Sequence, residues 1–302
     1  MVSEPGTLPQ GVRTSLPRAA WLFIWAVVAA ATVVVALYLP SAVRLLAGGG
    51  WRAAWQPLLY VAGLVLAERF VVKVPLRNHR FSVGTCDMVI VLGVVFLDPP
   101  VLVIATGIGI AVSQVLFEAQ PVKRLFNVPQ YILSVAVAAA SAAALADLLV
   151  RWDLGGAQLE AGVFRPALAV VWVVAMAAFF LVNHSLVSTV VSLSTGQGFV
   201  QSWLRAAPVA AADWAASIAY GLIIAALLVH DPALLPLLVV PIGLTFLGNR
   251  AWARSLAQGQ RMHSLYAAGR ALSNRLGDAR AWESFARQVA DVLNCEGAAV
   301  FL

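Results

Sequence analysis

Residues 21–39 read WLFIWAVVAAATVVVALYL, an apolar run with no charge and no proline. Wound as a helix it covers about 28 Å, close to the thickness of a bilayer's hydrocarbon layer. Arg13 and Arg18 stand ahead of it, as basic residues stand ahead of a signal peptide. The run is too long for an ordinary signal core and no small-residue cleavage site follows, so it reads as a retained anchor. Seven similar segments follow, at roughly 53–72, 84–98, 100–117, 126–149, 166–188, 207–229 and 233–248. The expected fold is an all-α polytopic membrane protein of about eight transmembrane helices. A re-entrant third segment, the shortest of the eight, would leave six or seven.

Composition agrees. Of the 302 residues, 61% are hydrophobic and 11% charged, with a mean hydropathy of +0.87. Soluble domains carry about a quarter charged residues, so a single water-soluble core is excluded. The net charge of +6 does not point to nucleic acid, because Lys and Arg cluster between apolar runs as in the loops of membrane proteins. Cys86 and Cys295 are the two cysteines. They fall in different regions without ligand spacing, so no disulfide framework and no metal site is expected. No nucleophile–base arrangement and no Gly-rich phosphate loop is present, so the reading is of a chain with no enzymatic activity and no cofactor. Gly107-Ile108-Gly109, inside a span, reads as a close helix contact.

Two pairs of segments are split by proline turns, Asp98-Pro99-Pro100 and His230-Asp231-Pro232. Proline lacks a donor and halts a helix. With the N-terminus inside, the cytoplasmic loops collect Arg69, Lys73, Arg77, Arg80, Lys123, Arg124 and Arg205, and the tail adds Arg250, Arg254 and Arg261. The outer loops hold Arg44, Arg52, Arg151 and Arg165, and the proline turns hold none. That asymmetry puts both termini in the cytoplasm. Segment 192–205 reads as interfacial.

After Leu247 the sequence turns polar and helix-prone. Met262, Leu265, Gly269, Leu272 and Leu276 recur at spacings of three and four, a coiled-coil-like seam. Gly277-Asp278 then breaks and caps a further helix, and 298–302 reads as a strand. One helix and one strand build no core, so the chain is expected to stop inside a longer domain. The expected organisation is a cytoplasmic tail 1–20, a transmembrane sensor domain 21–248, a signalling helix 249–276 and a truncated α/β start 277–302.

Ionisable and amide side chains inside spans are costly, and so are candidates for function. Asp87, Asn127, Gln130, His184 and Asp213 fall at one level, in the expected cytoplasmic half, and form the candidate ligand-binding set. His184 with Asp213 would be its titratable pair. The alternative is that these groups only hydrogen-bond between helices. Cys86 reads as a small packing residue.

Two stretches carry a resemblance. They are Arg80-Phe81-Ser82 through Asp87 and on over 91–100 (VLGVVFLDPP), and Lys123-Arg124-Leu125-Phe126-Asn127-Val128-Pro129-Gln130. Together they resemble the MASE-type membrane sensor modules found ahead of diguanylate cyclases, HD-GYP phosphodiesterases and sensor kinases. The tail 271–302 is similar to the opening helix and first strand of a GAF domain. The resemblance implies a bacterial inner-membrane sensor that passes a small-molecule or proton stimulus to a cytoplasmic GAF domain. Its output would be cyclic-di-GMP turnover or a phosphorelay, and its partners the lipid bilayer and a second copy joined through 262–276. The competing reading is a transporter, or its substrate-binding subunit, with a pocket among the helices. A reporter active only outside the cytoplasm is expected to be silent when fused after Arg124 and active when fused after Glu160.

Overall fold

Proline opens three of the helices, as its fixed φ and missing donor favour at a first helical position. They are α4 (Pro99–Phe117), α5 (Pro121–Arg151) and α6 (Pro166–Thr195). The other elements are α1 (Arg18–Gly48), α2 (Gly50–Arg69), β1 (Val72–Leu76), β2 (His79–Val83), α3 (Cys86–Phe96), α7 (Phe199–His230) and α8 (Val239–Ser273). A 3₁₀ turn, Pro232–Leu238, leads into α8. The computed structural model describes residues 16–69, 72–76, 79–83, 85–118, 120–151 and 166–273. The tail 1–15, the loop 152–165, Leu276 of the seam and the GAF-like stretch 277–302 lie outside the described residues.

The protein is an all-α membrane protein. Among the described residues six helical stretches are long and apolar enough to cross a bilayer: α1, α4, α5, α6, α7, and the 3₁₀ turn with the first part of α8 as far as Leu256. All eight expected segments are helical, but two fall short as spans. Helix α2 carries Gln56, Glu68 and Arg69, and α3 has 11 residues, which rise only about 16 Å.

The residues divide into two compact units. The first holds α1 to α7. Its helices approach closely where glycine removes a side chain. A Cβ on Gly109 of α4 would lie 2.8 Å from Leu64 of α2, and one on Gly221 of α7 would lie 2.7 Å from Val91 and 3.0 Å from the Met88 carbonyl of α3. The reading of Gly107-Ile108-Gly109 as a packing contact therefore holds. Phe179, Ile90, Val91, Leu64, Val103 and Val135 fill the interior, while Leu22, Leu37, Leu58, Leu66 and Val115 point outward as a lipid-facing surface. The turn between α6 and α7 needs Gly196, whose φ of +70° suits only a residue without Cβ.

The second unit holds the hairpin and α8, with β1 lying beside α8. The strands pair antiparallel, Val72 opposite Val83 and Leu76 opposite His79. The sequence reading has only a basic loop here. Lys73, Arg77 and Arg80 dominate a stretch whose Val72, Val74, Phe81 and Val83 are strand formers. Helix α8 runs 35 residues without a break, so the last span and the expected signalling helix are one element. The expected interfacial segment 192–205 resolves into the end of α6 and the first turns of α7.

Replacing Gly221 with Leu is expected to destabilise the protein by about 1–3 kcal/mol through overpacking. Gly243→Ala, where nothing lies within 4 Å of the added carbon, should be neutral or slightly stabilising. Thermal unfolding in detergent measures both.

Candidate functional site

Three groups of polar side chains occupy the interior of the seven-helix unit. The first is acidic. Glu68 ends α2, Cys86 and Asp87 open α3, Tyr131 lies on α5 and Asp213 on α7. The Cys86 thiol donates to Glu68 Oε1 at 3.3 Å. Asp87 feels the charges of Asp213 and Glu68, and Cys86 and Tyr131 each feel all three carboxylates. Four helices thus bring three carboxyl groups, a thiol and a phenol within electrostatic reach of one another. In a medium of low dielectric such neighbours cannot all carry charge cheaply.

The second group joins α4 to α5. Asn127 Nδ2 donates to Gln114 Oε1 at 2.9 Å. Gln130, one turn further along α5, is buried, and its carbonyl accepts from the Ser134 hydroxyl at 2.8 Å. Deeper in the bundle the Thr106 hydroxyl donates to the Leu102 carbonyl, so the Tyr60 hydroxyl, 2.8 Å away, donates to Thr106 Oγ1.

The third group is built around His184, which is 5% exposed. Its Nε2 lies 3.0 Å from the Trp203 carbonyl, an obligatory acceptor, so that nitrogen carries the proton. Phe180 stacks on the imidazole at 5.3 Å, and Trp203 meets it edge-on at 5.0 Å. Trp203 Nε1 donates to Ser185 Oγ, and Trp214 Nε1 to the Met176 carbonyl. Asn183 Oδ1 and Ser202 Oγ, on the same stretches of α6 and α7, are buried without a hydrogen-bond partner among the described residues.

The five residues singled out from the sequence thus divide. Asp87 and Asp213 come together. Asn127 is held by Gln114, and Gln130 is buried beside it in sequence. The described contacts of His184 are aromatic and backbone groups of α6 and α7. Cys86 packs in the hydrophobic core, as expected of it, and its thiol also meets Glu68; sequence reasoning passed over Tyr131, Gln114 and Trp203 as members of these groups. Glu68 ends an apolar segment in the sequence, at the level of Asp87. Glu118, at the same level, closes the α4–α5 turn instead, where Oε1 accepts from the Gln120 backbone. Among the described residues no three His, Cys, Asp or Glu side chains are grouped to hold a metal ion.

Removing the α4–α5 amide pair tests its share in holding the bundle. A double-mutant cycle of Gln114→Leu and Asn127→Leu is expected to give a coupling of about 0.5–1.5 kcal/mol in unfolding, the range of interhelical hydrogen bonds in membranes.

Residues 54–250 match the family model MASE9. No curated protein and no solved structure matches the chain. The match begins in α2 and ends in α8, so it takes in the acidic group, the amide pair and the His184 surroundings together. On that match, which covers more than half of the chain, this protein belongs to the MASE9 family and is a MASE-type membrane sensor module.

Proposed function

We propose that the chain receives a stimulus in its polar layer and passes it along α8 to a cytoplasmic receiving domain. The observation that carries this reading is the continuity of α8. From Val239 to Ser273 the backbone is one helix, a rod about 52 Å long, with its apolar part at one end and its polar part at the other. A shift or rotation of the span is therefore felt at Ser273. Residues 277–302 would begin the GAF domain that receives it, with cyclic-di-GMP turnover or phosphorelay chemistry in the domains beyond. The chain itself does no chemistry in this reading. Its setting would be the bacterial plasma membrane with both termini in the cytoplasm, which the clusters at Lys123-Arg124, Arg205 and Arg250 favour.

The stimulus would be a small molecule or protons, received by Asp87 and Asp213 together with Glu68, with Asn127, Gln130 and His184 holding the neighbouring helices at the same level. A ligand shifts a two-state module only by its differential affinity for the two states. The acidic group supplies such a difference, because a change in helix spacing changes the repulsion among Glu68, Asp87 and Asp213.

The test is thermal unfolding of the purified chain against metabolites and lipids and across the neutral to mildly acidic range, alongside Asp213→Asn and His184→Ala. A condition that shifts the wild type by several degrees and leaves Asp213→Asn unmoved supports a site in the acidic group. Equal shifts in all three proteins would sink it. Saturable solute uptake by proteoliposomes would replace the sensor reading with transport.

A further inference from the structure

Ser202 is 9% exposed, and its hydroxyl has no hydrogen-bond partner among the described residues. Elsewhere in the bundle serine and threonine spend the hydroxyl on the carbonyl one turn back, as Ser134, Thr189, Ser194 and Thr195 do. Ser202 does not, although the Gly198 carbonyl stands one turn back and accepts its amide at 3.0 Å. A buried hydroxyl left unpaired is costly. An unspent donor at this place points to an acceptor that the chain does not itself supply.

The place is the N-terminus of α7. Side chains of a helix lean toward its N-terminus, so Ser202, the fourth residue, stands over the first turn. The amides of Phe199, Val200 and Gln201 have no carbonyl one turn back, and they carry the positive pole of the helix dipole. No side chain caps them. The N-cap position is Gly198, and the first turn holds no acidic residue. Arg205 reaches back along the helix, its Nη1 donating to Gln197 Oε1 at 3.4 Å, which holds the guanidinium beside the same turn. A Cβ on Gly196 or Gly198 would meet nothing within 4 Å, so the approach is open. Residues 161–212 include no Asp or Glu.

We propose that the N-terminus of α7, with Ser202 and Arg205, is a binding site for a phosphate group. Three amides along the helix axis, a hydroxyl over the turn and a guanidinium fork come from different directions. That set suits a tetrahedral anion with several acceptor oxygens better than a flat carboxylate. Phe199 and Val200, both exposed, put the site at the apolar surface of the bundle. The phosphate of an anionic phospholipid therefore has the same access as a soluble phosphate. The acidic group around Asp213 takes no part, so this site and the sensing site stand or fall separately.

Two probes of the full chain test it. Radiolabelled inorganic phosphate is titrated into the chain held in phosphatidylcholine nanodiscs. Phosphatidylglycerol is titrated into the chain in detergent, and bound lipid is counted by native mass spectrometry. At least one probe should bind saturably, one per chain. Arg205→Gln should weaken that binding about ten-fold, as loss of a hydrogen bond to a charged group does. Ser202→Ala, which removes no charge, should weaken it several-fold. Gly198→Asp fits the φ of −63° and ψ of 140° at that position, caps the first turn and sets a carboxylate where the anion would lie. It should keep or raise thermal stability while abolishing binding. A response to phosphatidylglycerol alone assigns the site to a lipid headgroup, and a response to inorganic phosphate alone assigns it to a soluble ligand. No saturable binding of either probe, or binding that Gly198→Asp leaves unchanged, would overturn the site.

Discussion

A polar group in hydrocarbon has no water to turn to, so it must meet another group of the protein. That constraint organises the seven-helix unit. The Cys86–Glu68, Asn127–Gln114, Tyr60–Thr106 and His184–Trp203 contacts each tie two helices together. Apolar packing alone gives little preference among arrangements when lipid tails are as apolar as leucine. The polar contacts, with the glycine approaches at Gly109 and Gly221, select one arrangement.

The acidic group is of another kind. Amides and hydroxyls satisfy one another, whereas Glu68, Asp87 and Asp213 repel.

The helices were legible because hydropathy reports burial in lipid directly, and the proline turns because proline cannot continue a helix. Span number was less so. Segment 53–72 forms a helix of 20 residues whose polar residues keep it below a span, while only the helix end at Phe96 reveals that 84–98 is too short. Of the candidate site, depth along the chain placed Asp87 and Asp213 at one level. Which neighbour each residue meets depends on helix rotation, and low amphipathicity hides that in a membrane protein, where both faces are apolar. The Cys86–Glu68 contact and the place of Tyr131 were missed for this reason. The hairpin was hidden by its charges, since a strand of five residues leaves little periodicity.

The unbroken backbone of α8 also constrains how such modules can be joined to other domains in evolution. Each residue inserted into a continuous helix advances whatever follows by about 1.5 Å and turns it by about 100°. Fusion joints are thereby quantised. A new domain attached behind Ser273 keeps its facing only if the connecting stretch grows or shrinks by whole heptads, so the lengths of natural linkers should fall into phase classes.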